Sequence, residues 1–554
     1  MSTFIKTLER NPITTICLFT AIMLLPHLST LQVSIMEARN FITAREMVTD
    51  GNWLLTTMNG EPRYEKPPLP TWLTAISSVA FGSSNLFGLR LPALLLVMVV
   101  GCFVYLLSKA MLKNPLHSLV NALIVLTSFY VFGIIIEAPW DIFAHGFMLV
   151  AIYYLFLLFR SNKHVWRNTL LASLFVGFSL MSKGPVSLYA LLLPFLLAYG
   201  FTYKYGHLKP KLMPLLVALF LAIVFGGWWY IYVRIYDPEV FIAIAQKETG
   251  NWTSYNVRPF YYYWSFFIQS GLWSIPAFIG LLYPYLKKRV INIKAYQFSL
   301  LWTLLAVVLL SLVPEKKSRY LMPVLIPLAI NTGFYIEFLF RKFKEMHKKS
   351  ETVPVFFNFG FIALVGILFP IAGYFLLKNH LSGSWGYYLA GSIVLPLTGI
   401  SLMVQLKKRQ MKEVFFLTVL TFGLLLSALA FTFSDSLTNP ENDPFDSLNT
   451  FAVQKKLKVY GYDYVPPETI WHFGDKIPII KSDSTQLNFP NEETFILVAP
   501  LENKLKEDSL IRARYDIEEL GALDLNLIQP DFRDFNPRKA SNYYLLHSKI
   551  NLPQ

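Results

Sequence analysis

Residues 36–72 read MEARNFITAREMVTDGNWLLTTMNGEPRYEKPPLPTW and carry Glu37, Arg39, Arg45, Glu46, Asp50, Glu61, Arg63, Glu65 and Lys66 directly behind an apolar run. Charge set against a lipid boundary is costly to desolvate, so it is retained there for a reason. The surrounding chain makes the contrast sharp. Its 554 residues are 54% hydrophobic, 16% aromatic and only 15% charged, with a mean hydropathy of +0.44. A soluble protein carries nearer a quarter charged residues. Apolar runs long enough to cross a bilayer recur through residues 1–433, which predicts an all-α polytopic membrane protein.

On either side of residues 36–72, about thirteen spans are predicted near 12–35, 88–112, 115–136, 141–160, 166–182, 185–203, 211–236, 261–286, 295–313, 318–340, 355–377, 385–406 and 413–433. The run 67–82 opens with Pro67, Pro68 and Pro70 and is read as an interfacial or re-entrant helix. Basic residues cluster in alternate loops, for example Lys287, Lys288 and Arg289, then Arg341, Lys342 and Lys344. That pattern assigns these loops to the cytoplasm and accounts for the net charge of +14 without a nucleic-acid partner. The N-terminus is then cytoplasmic, and residues 36–87 and the tail beyond 433 lie on the outer side. The first span follows Lys6 and Arg10 without a small-residue cleavage site and is expected to be retained. The two cysteines, Cys17 and Cys102, sit in apolar runs and are read as buried thiols. From residue 434 to 554 the composition changes. KIPII (476–480), TFILVAP (494–500) and NYYLLHS (542–548) are β-like, predicting a small α/β domain on the outer side.

Five outer-side patches carry candidate chemistry. The first is residues 36–72, where 36–49 is predicted to form an amphipathic interfacial helix and proline stiffens the Glu65–Lys66 pair. The second is EAPWD, with Glu137 and Asp141 at a helix start, where a carboxylate also serves as a simple cap. The third is Lys183, for which a snorkelling anchor is the plain alternative. The fourth is the aromatic loop 237–264 with Glu239, Lys247, Glu248 and Arg258. The fifth, PEKKSRYLMP, places Lys316, Lys317, Arg319 and Tyr320 on the outer side against the positive-inside rule, which points to an anionic ligand. Cations suit a phosphate leaving group whose charge grows as a glycosidic bond breaks, and a carboxylate suits an acceptor hydroxyl that must lose a proton. No phosphate-cradling glycine loop is present. The expected donor is therefore a lipid-phosphate sugar.

The segments EARNFITAREM, GNW, YEKPPLPTW and FGLRLPALL (87–95), with Lys183-Gly184-Pro185 and Lys316, Tyr320 and Pro323, resemble the polyprenyl-phosphate-dependent glycosyltransferases of the GT-C type. The bacterial aminoarabinose transferases of lipid A are the nearer resemblance, and the protein O-mannosyltransferases the more distant one. The resemblance implies about thirteen spans, a periplasmic C-terminal domain, and an undecaprenyl-phosphate sugar as donor. It implies lipid A, a glycan or a protein as acceptor, with membrane lipids as surroundings. Where the family has an Asp-Glu pair followed by Arg, this chain has Met36, Glu37 and Arg39. The role of the family's aspartate then passes to Glu37, Asp141 or Glu65. Matching positions make Lys66, Lys183, Lys316 and Tyr320 phosphate-binding residues, with Arg39 or Arg319 beside them. Glu65 matches a position associated with a metal. No cofactor is otherwise implied, and the absence of the accompanying histidine weakens the case for a divalent metal at Glu65. The expected activity is inverting sugar transfer. A protein O-glycosyltransferase, a flippase or transporter of lipid-linked sugars, and a non-catalytic envelope scaffold are the rival readings.

Overall fold

The computed structural model describes residues 2–549 apart from 135–138, 207–208, 379–380, 382–383, 434–444, 481, 484–485, 488–489, 502–508, 527–531 and 534. Glu137 and the 433/434 domain boundary therefore lie outside the described residues or at their edge. The chain is mostly helical. The helices that matter here are α1 (Pro12–Leu24), α2 (Ile35–Thr49), α3 (Leu69–Phe81), α4 (Leu86–Leu112), α5 (Pro115–Leu126), α6 (Pro139–Arg160), α7 (Val165–Lys183), α8 (Leu193–Tyr203), α9 (Leu212–Tyr236), α10 (Pro238–Ser254), α11 (Ile293–Leu312), α12 (Met322–Lys342), α13 (Lys349–Leu377), α14 (Trp385–Lys407), α15 (Met411–Phe433) and α16 (Pro467–Phe473). Among the described residues, eight helices are long and apolar enough to cross a membrane, and four shorter apolar helices accompany them. This is a multi-pass membrane protein.

Two sequence expectations change. The single span predicted over 261–286 is a string of short pieces, Phe260–Tyr263, Phe266–Trp273, Ser274–Leu281 and Tyr283–Leu286. Gly271 breaks it with φ +63°, a conformation that costs glycine little. The helix expected to lie on the interface over 36–49 does form as α2, yet most of its residues are buried, Asn40, Phe41, Ile42, Ala44 and Met47 among them. The reason is that it is covered from two sides. Thr71 Oγ1 donates to Asn40 Oδ1 (2.8 Å) and Asn40 Nδ2 to Thr74 Oγ1 (2.9 Å), tying α2 to α3, while Phe41 packs edge-on against Trp471 of α16. Helix α3 has 13 residues, about 20 Å of rise, too short to cross a bilayer.

Past the membrane helices, strands β3 (Val459–Tyr462), β4 (Ile479–Ile480), β5 (Thr494–Pro500), β6 (Tyr515–Asp524) and β7 (Ala540–Ser548) form a mixed sheet in the order β4-β3-β5-β7-β6. β3 runs parallel to β4 and β5, and β7 antiparallel to β5 and β6. Earlier in the chain, β1 (Thr57–Met58) and β2 (Glu61–Pro62) pair as a hairpin. Its turn, Asn59-Gly60, has φ of +59° and +78°, as a type I′ turn requires.

The start of α2 is held by charge. Ser34 and Glu37 form a reciprocal capping box. Glu37 also takes two bonds from Arg90, Nε to Oε1 at 2.6 Å and Nη2 to Oε2 at 3.1 Å, with both side chains almost fully buried. Arg90 then donates to the carbonyls of Leu28 (2.8 Å) and Gln32 (3.2 Å), so one guanidinium fixes the whole turn between α1 and α2. Burial pushes the Glu37 carboxyl above its usual range, and Arg90 opposes that shift.

Two predictions follow from this packing. Glu37→Gln leaves Arg90 charged and unpaired, and should destabilise the protein by about 3–5 kcal/mol, with the Glu37→Gln/Arg90→Gln double variant losing less than the sum of the two single changes. Thermal unfolding in detergent checks this, and a Glu37→Gln chain that melts with the wild type would return Glu37 to the candidate bases. In the helical core, a Cβ on Gly333 of α12 would stand 1.7 Å from Oδ1 of the buried Asn121 on α5. Gly333→Ala should therefore cost about 1–3 kcal/mol, and Asn121→Ala in the same chain should recover part of it.

Candidate functional site

Several polar groups converge at the end of the bundle where α2 and α3 lie. Asp141 in the first turn of α6 and Lys183 at the last residue of α7 form a direct ion pair. The same Lys183 ammonium lies over the Tyr320 ring, 5.0 Å from its centroid. Lys66 and Arg319 also face Lys183 electrostatically, while His145 and Arg319 face Asp141. Lys66 itself pairs with Glu248 of α10 at 3.0 Å. Tyr320 donates to Glu315 (3.0 Å), and Glu315 pairs with Lys317 at 2.8 Å. Lys317 stacks over Tyr255 at 4.8 Å and Tyr320 at 5.6 Å.

Arg63 binds this cluster to the first loop. Its Nη1 donates to the Arg39 carbonyl and to Thr43 Oγ1, both at 2.9 Å, and its guanidinium lies 5.2 Å from the centre of the Trp140 ring. Trp140 immediately precedes Asp141. Burial lowers Arg63 to about 10, with Glu65 the largest opposing charge. The next residue, Tyr64, donates to Asp237 at 2.8 Å, which ties the loop to the start of α10.

Paired and unpaired groups divide the candidates. Arg39 Nε, Glu65 Oε2, Asp141 Oδ2 and Arg319 Nε are buried polar atoms without a hydrogen-bond partner. Such atoms also occur elsewhere among the described residues, on His117, Asn121 and Thr469 for example, but these four lie around Lys66 and Lys183, where a polar ligand can supply the missing bonds. Two expected site residues are spent elsewhere. Glu37 is consumed by Arg90 and Ser34, as described above. Lys316 is buried, and its Nζ donates to the carbonyls of Val313 (2.5 Å), Arg258 (3.0 Å) and Pro314 (3.5 Å), so its donors staple one loop to another. Its neighbour Lys317 takes the position beside Tyr320.

The sequence shows Arg63 and Glu46 only as charges of residues 36–72 without a role, and Arg90 only within a quoted motif. Arg90 had a signal, an arginine within the apolar run FGLRLPALL. Glu46 accepts from Thr57 Oγ1 (2.5 Å) and from the backbone N–H of Asn59 (2.6 Å), which holds the hairpin against α2. The Asn59-Gly60 dipeptide was the available signal for that hairpin. As a metal site the cluster fits poorly. Among the described residues no three His, Cys, Asp or Glu side chains come together, and the charges facing Glu65 include Arg63. Chemically, the arrangement offers cations for an anion and two carboxylates with a free oxygen each.

Known proteins resemble this chain in sequence and in fold. Residues 65–230 match the family described as dolichyl-phosphate-mannose-protein mannosyltransferase, a stretch that contains Glu65, Lys66, Asp141 and Lys183. The chain is 28% identical over 308 residues to an undecaprenyl phosphate-alpha-4-amino-4-deoxy-L-arabinose arabinosyl transferase of Pseudomonas fluorescens, covering 54% of this chain and 51% of that one. It is 26% identical over 376 residues to the corresponding transferase of Yersinia enterocolitica, 63% of each chain. The chain thus spans between half and two thirds of the length of these curated relatives. In structure it superposes on ArnT from Cupriavidus metallidurans bound to undecaprenyl phosphate with a TM-score of 0.68, covering 96% of this chain and 97% of that one at 14% identity. The apo form of the same protein gives 0.69. In sequence this chain is similar to undecaprenyl phosphate-alpha-4-amino-4-deoxy-L-arabinose arabinosyl transferases, and in fold it is similar to ArnT.

Proposed function

We propose that this chain is an integral membrane glycosyltransferase that moves a sugar from undecaprenyl phosphate to an acceptor at the periplasmic face of a bacterial inner membrane, with lipid A the first acceptor to test. The observation that carries the reading is the set of unpartnered buried atoms on Arg39, Glu65, Asp141 and Arg319 at one end of the helices. It stands on a fold shared with a protein solved with undecaprenyl phosphate. The basic loops at the opposite ends support a cytoplasmic N-terminus, about thirteen passes, and residues 434–554 as a small periplasmic α/β domain following a membrane domain over 1–433.

In this reading Lys66, Lys183, Arg39 and Arg319 hold the lipid phosphate, with Lys317 and Tyr320 at the rim. The acceptor oxygen attacks the anomeric carbon from the face opposite the phosphate. The bond from that carbon to the phosphate oxygen breaks, and the sugar is transferred with inversion. The leaving phosphate gains a negative charge, which the cations stabilise more strongly in the transition state than in the ground state. The acceptor proton goes to Asp141 or Glu65, each of which has an oxygen free to take it. Glu37 holds the loop and takes no part in the proton transfer.

A protein hydroxyl is the second acceptor reading, favoured by the mannosyltransferase match over 65–230. A flippase or transporter keeps its binding charges near the bilayer midplane on broken helices, whereas here they gather at helix ends.

Lys66→Ala should lower kcat by about 2–4 kcal/mol of transition-state stabilisation, read as label transferred from a radiolabelled undecaprenyl-phosphate sugar to an envelope extract. Wild-type turnover in that variant would sink the phosphate assignment. Asp141→Asn and Glu65→Gln should split: the base variant loses kcat while still binding undecaprenyl phosphate, and the other loses less. If both keep full turnover, neither carboxylate is the base.

A further inference from the structure

The hairpin that precedes Glu65 and Lys66 is gripped at its tip by a segment more than four hundred residues away. Asn59 Nδ2 donates to the Ile477 carbonyl (2.7 Å), and the Ile477 N–H donates back to Asn59 Oδ1 (2.7 Å), across a sequence separation of 418. One side-chain amide thus reads both backbone groups of one residue. The adjacent Lys476 pairs with Asp50, just past α2, at 2.7 Å. Apolar contact backs these bonds. Ile42 of α2 belongs to the same buried cluster as Ile470, Phe473, Ile477, Ile496 and Val498 of the C-terminal segment.

A stiff path leads from that tip to the site. Glu46 fixes the turn from below through Thr57 and the Asn59 N–H. The stem is closed by the Arg63 N–H donating to the Thr56 carbonyl (2.8 Å) and Thr56 Oγ1 donating to the Arg63 carbonyl (2.5 Å). Arg63 then forks onto α2, Tyr64 is tied to Asp237, and Pro67 and Pro68 follow Lys66. Between Asn59 and Lys66 little of the chain is free to move on its own.

We infer that the C-terminal segment is a positioning element for the Glu65–Lys66 end of the site, acting through Asn59. The inference rests on the transferase reading for its catalytic consequence, and on geometry alone for the hold itself. Asn59 touches no reacting atom. It sets where Lys66 stands relative to Lys183, and a displacement near 1 Å at a reacting centre costs about 10²-fold in rate.

Asn59→Gly is the decisive variant in the full chain. Glycine adopts the positive φ of this turn at no steric cost, so the turn survives while both bonds to Ile477 are lost. Asn59→Asp keeps the acceptor for the Ile477 N–H and loses the donor. Hydrogen–deuterium exchange in detergent should rise over residues 55–66 in Asn59→Gly and stay unchanged in the membrane helices. In the label-transfer assay its kcat should fall by about 10–10²-fold, with Asn59→Asp between it and wild type and the melting temperature of the membrane helices unmoved. Unchanged exchange over 55–66 overturns the inference. Raised exchange with wild-type kcat and KM overturns it equally, because the hairpin would then be held without mattering. If the wild-type chain transfers no sugar at all, the transferase reading falls. Binding of undecaprenyl phosphate to wild type and Asn59→Gly then serves as the second readout, with equal affinity counting against the inference.

Discussion

A fully buried guanidinium–carboxylate pair, Arg90 with Glu37, decides how the first loop leaves the membrane helices. Neither charge could enter so dry a place alone, because an unpaired buried ion costs several kcal/mol. Together they form a node with four further bonds, to Ser34 and to the carbonyls of Leu28 and Gln32. That node fixes the first turn of α2. Arg39 lies one turn later, and its carbonyl receives Arg63. Arg63 in turn stacks on Trp140 beside Asp141. The position of the site therefore descends from an ion pair that takes no part in it.

The same accounting separates structural charges from functional ones throughout this end of the molecule. Lys316 gives its hydrogens to three backbone carbonyls. Glu46 gives its oxygens to a hairpin. These groups are satisfied, and bringing a ligand to them would mean breaking bonds of the fold. Arg39, Glu65, Asp141 and Arg319 each keep a buried atom without a bond. A protein tolerates such a group where a ligand completes it. Lys66 is intermediate, since Glu248 holds it on a half-buried surface where an ion pair is worth little. An incoming phosphate can displace that carboxylate at small cost.

Much of the architecture was legible in the sequence, because hydrophobic periodicity and run length report directly on burial in lipid. The 494–500 strand and the α2 helix appear where composition placed them. The broken stretch 260–286 was not legible, since Gly271 sits in an apolar run whose composition alone reads as a span. The candidate site residues were legible as polar patches and illegible as individuals. Sequence shows that Glu37, Glu65 and Asp141 are carboxylates in polar patches, but the partners of Glu37 and Asp141 lie tens of residues away. Glu37 meets Arg90 across 53 positions, and Asp141 meets Lys183 across 42. A local pattern carries no information about who is already paired.

Met36 bears on which carboxylate does the work. The family resemblance implies an aspartate at this position, one residue before the glutamate that here pairs with Arg90. A thioether there can neither accept a proton nor orient a hydroxyl, so base chemistry has to come from another element. Helix geometry turns each successive residue by about 100°, so Glu37 points elsewhere than its neighbour and is committed to Arg90 in any case. The carboxylates left with a free oxygen stand on the loop after the hairpin, Glu65, and at the head of α6, Asp141. Asp141 is clamped by Lys183, whereas Glu65 has Arg63 nearby without a direct bond in the described structure. A carboxylate oxygen engaged by an ammonium is less free to turn towards an acceptor hydroxyl than one without a direct bond. On that ground we propose Glu65 as the base, and Asp141 as the group that holds Lys183 in place for the phosphate.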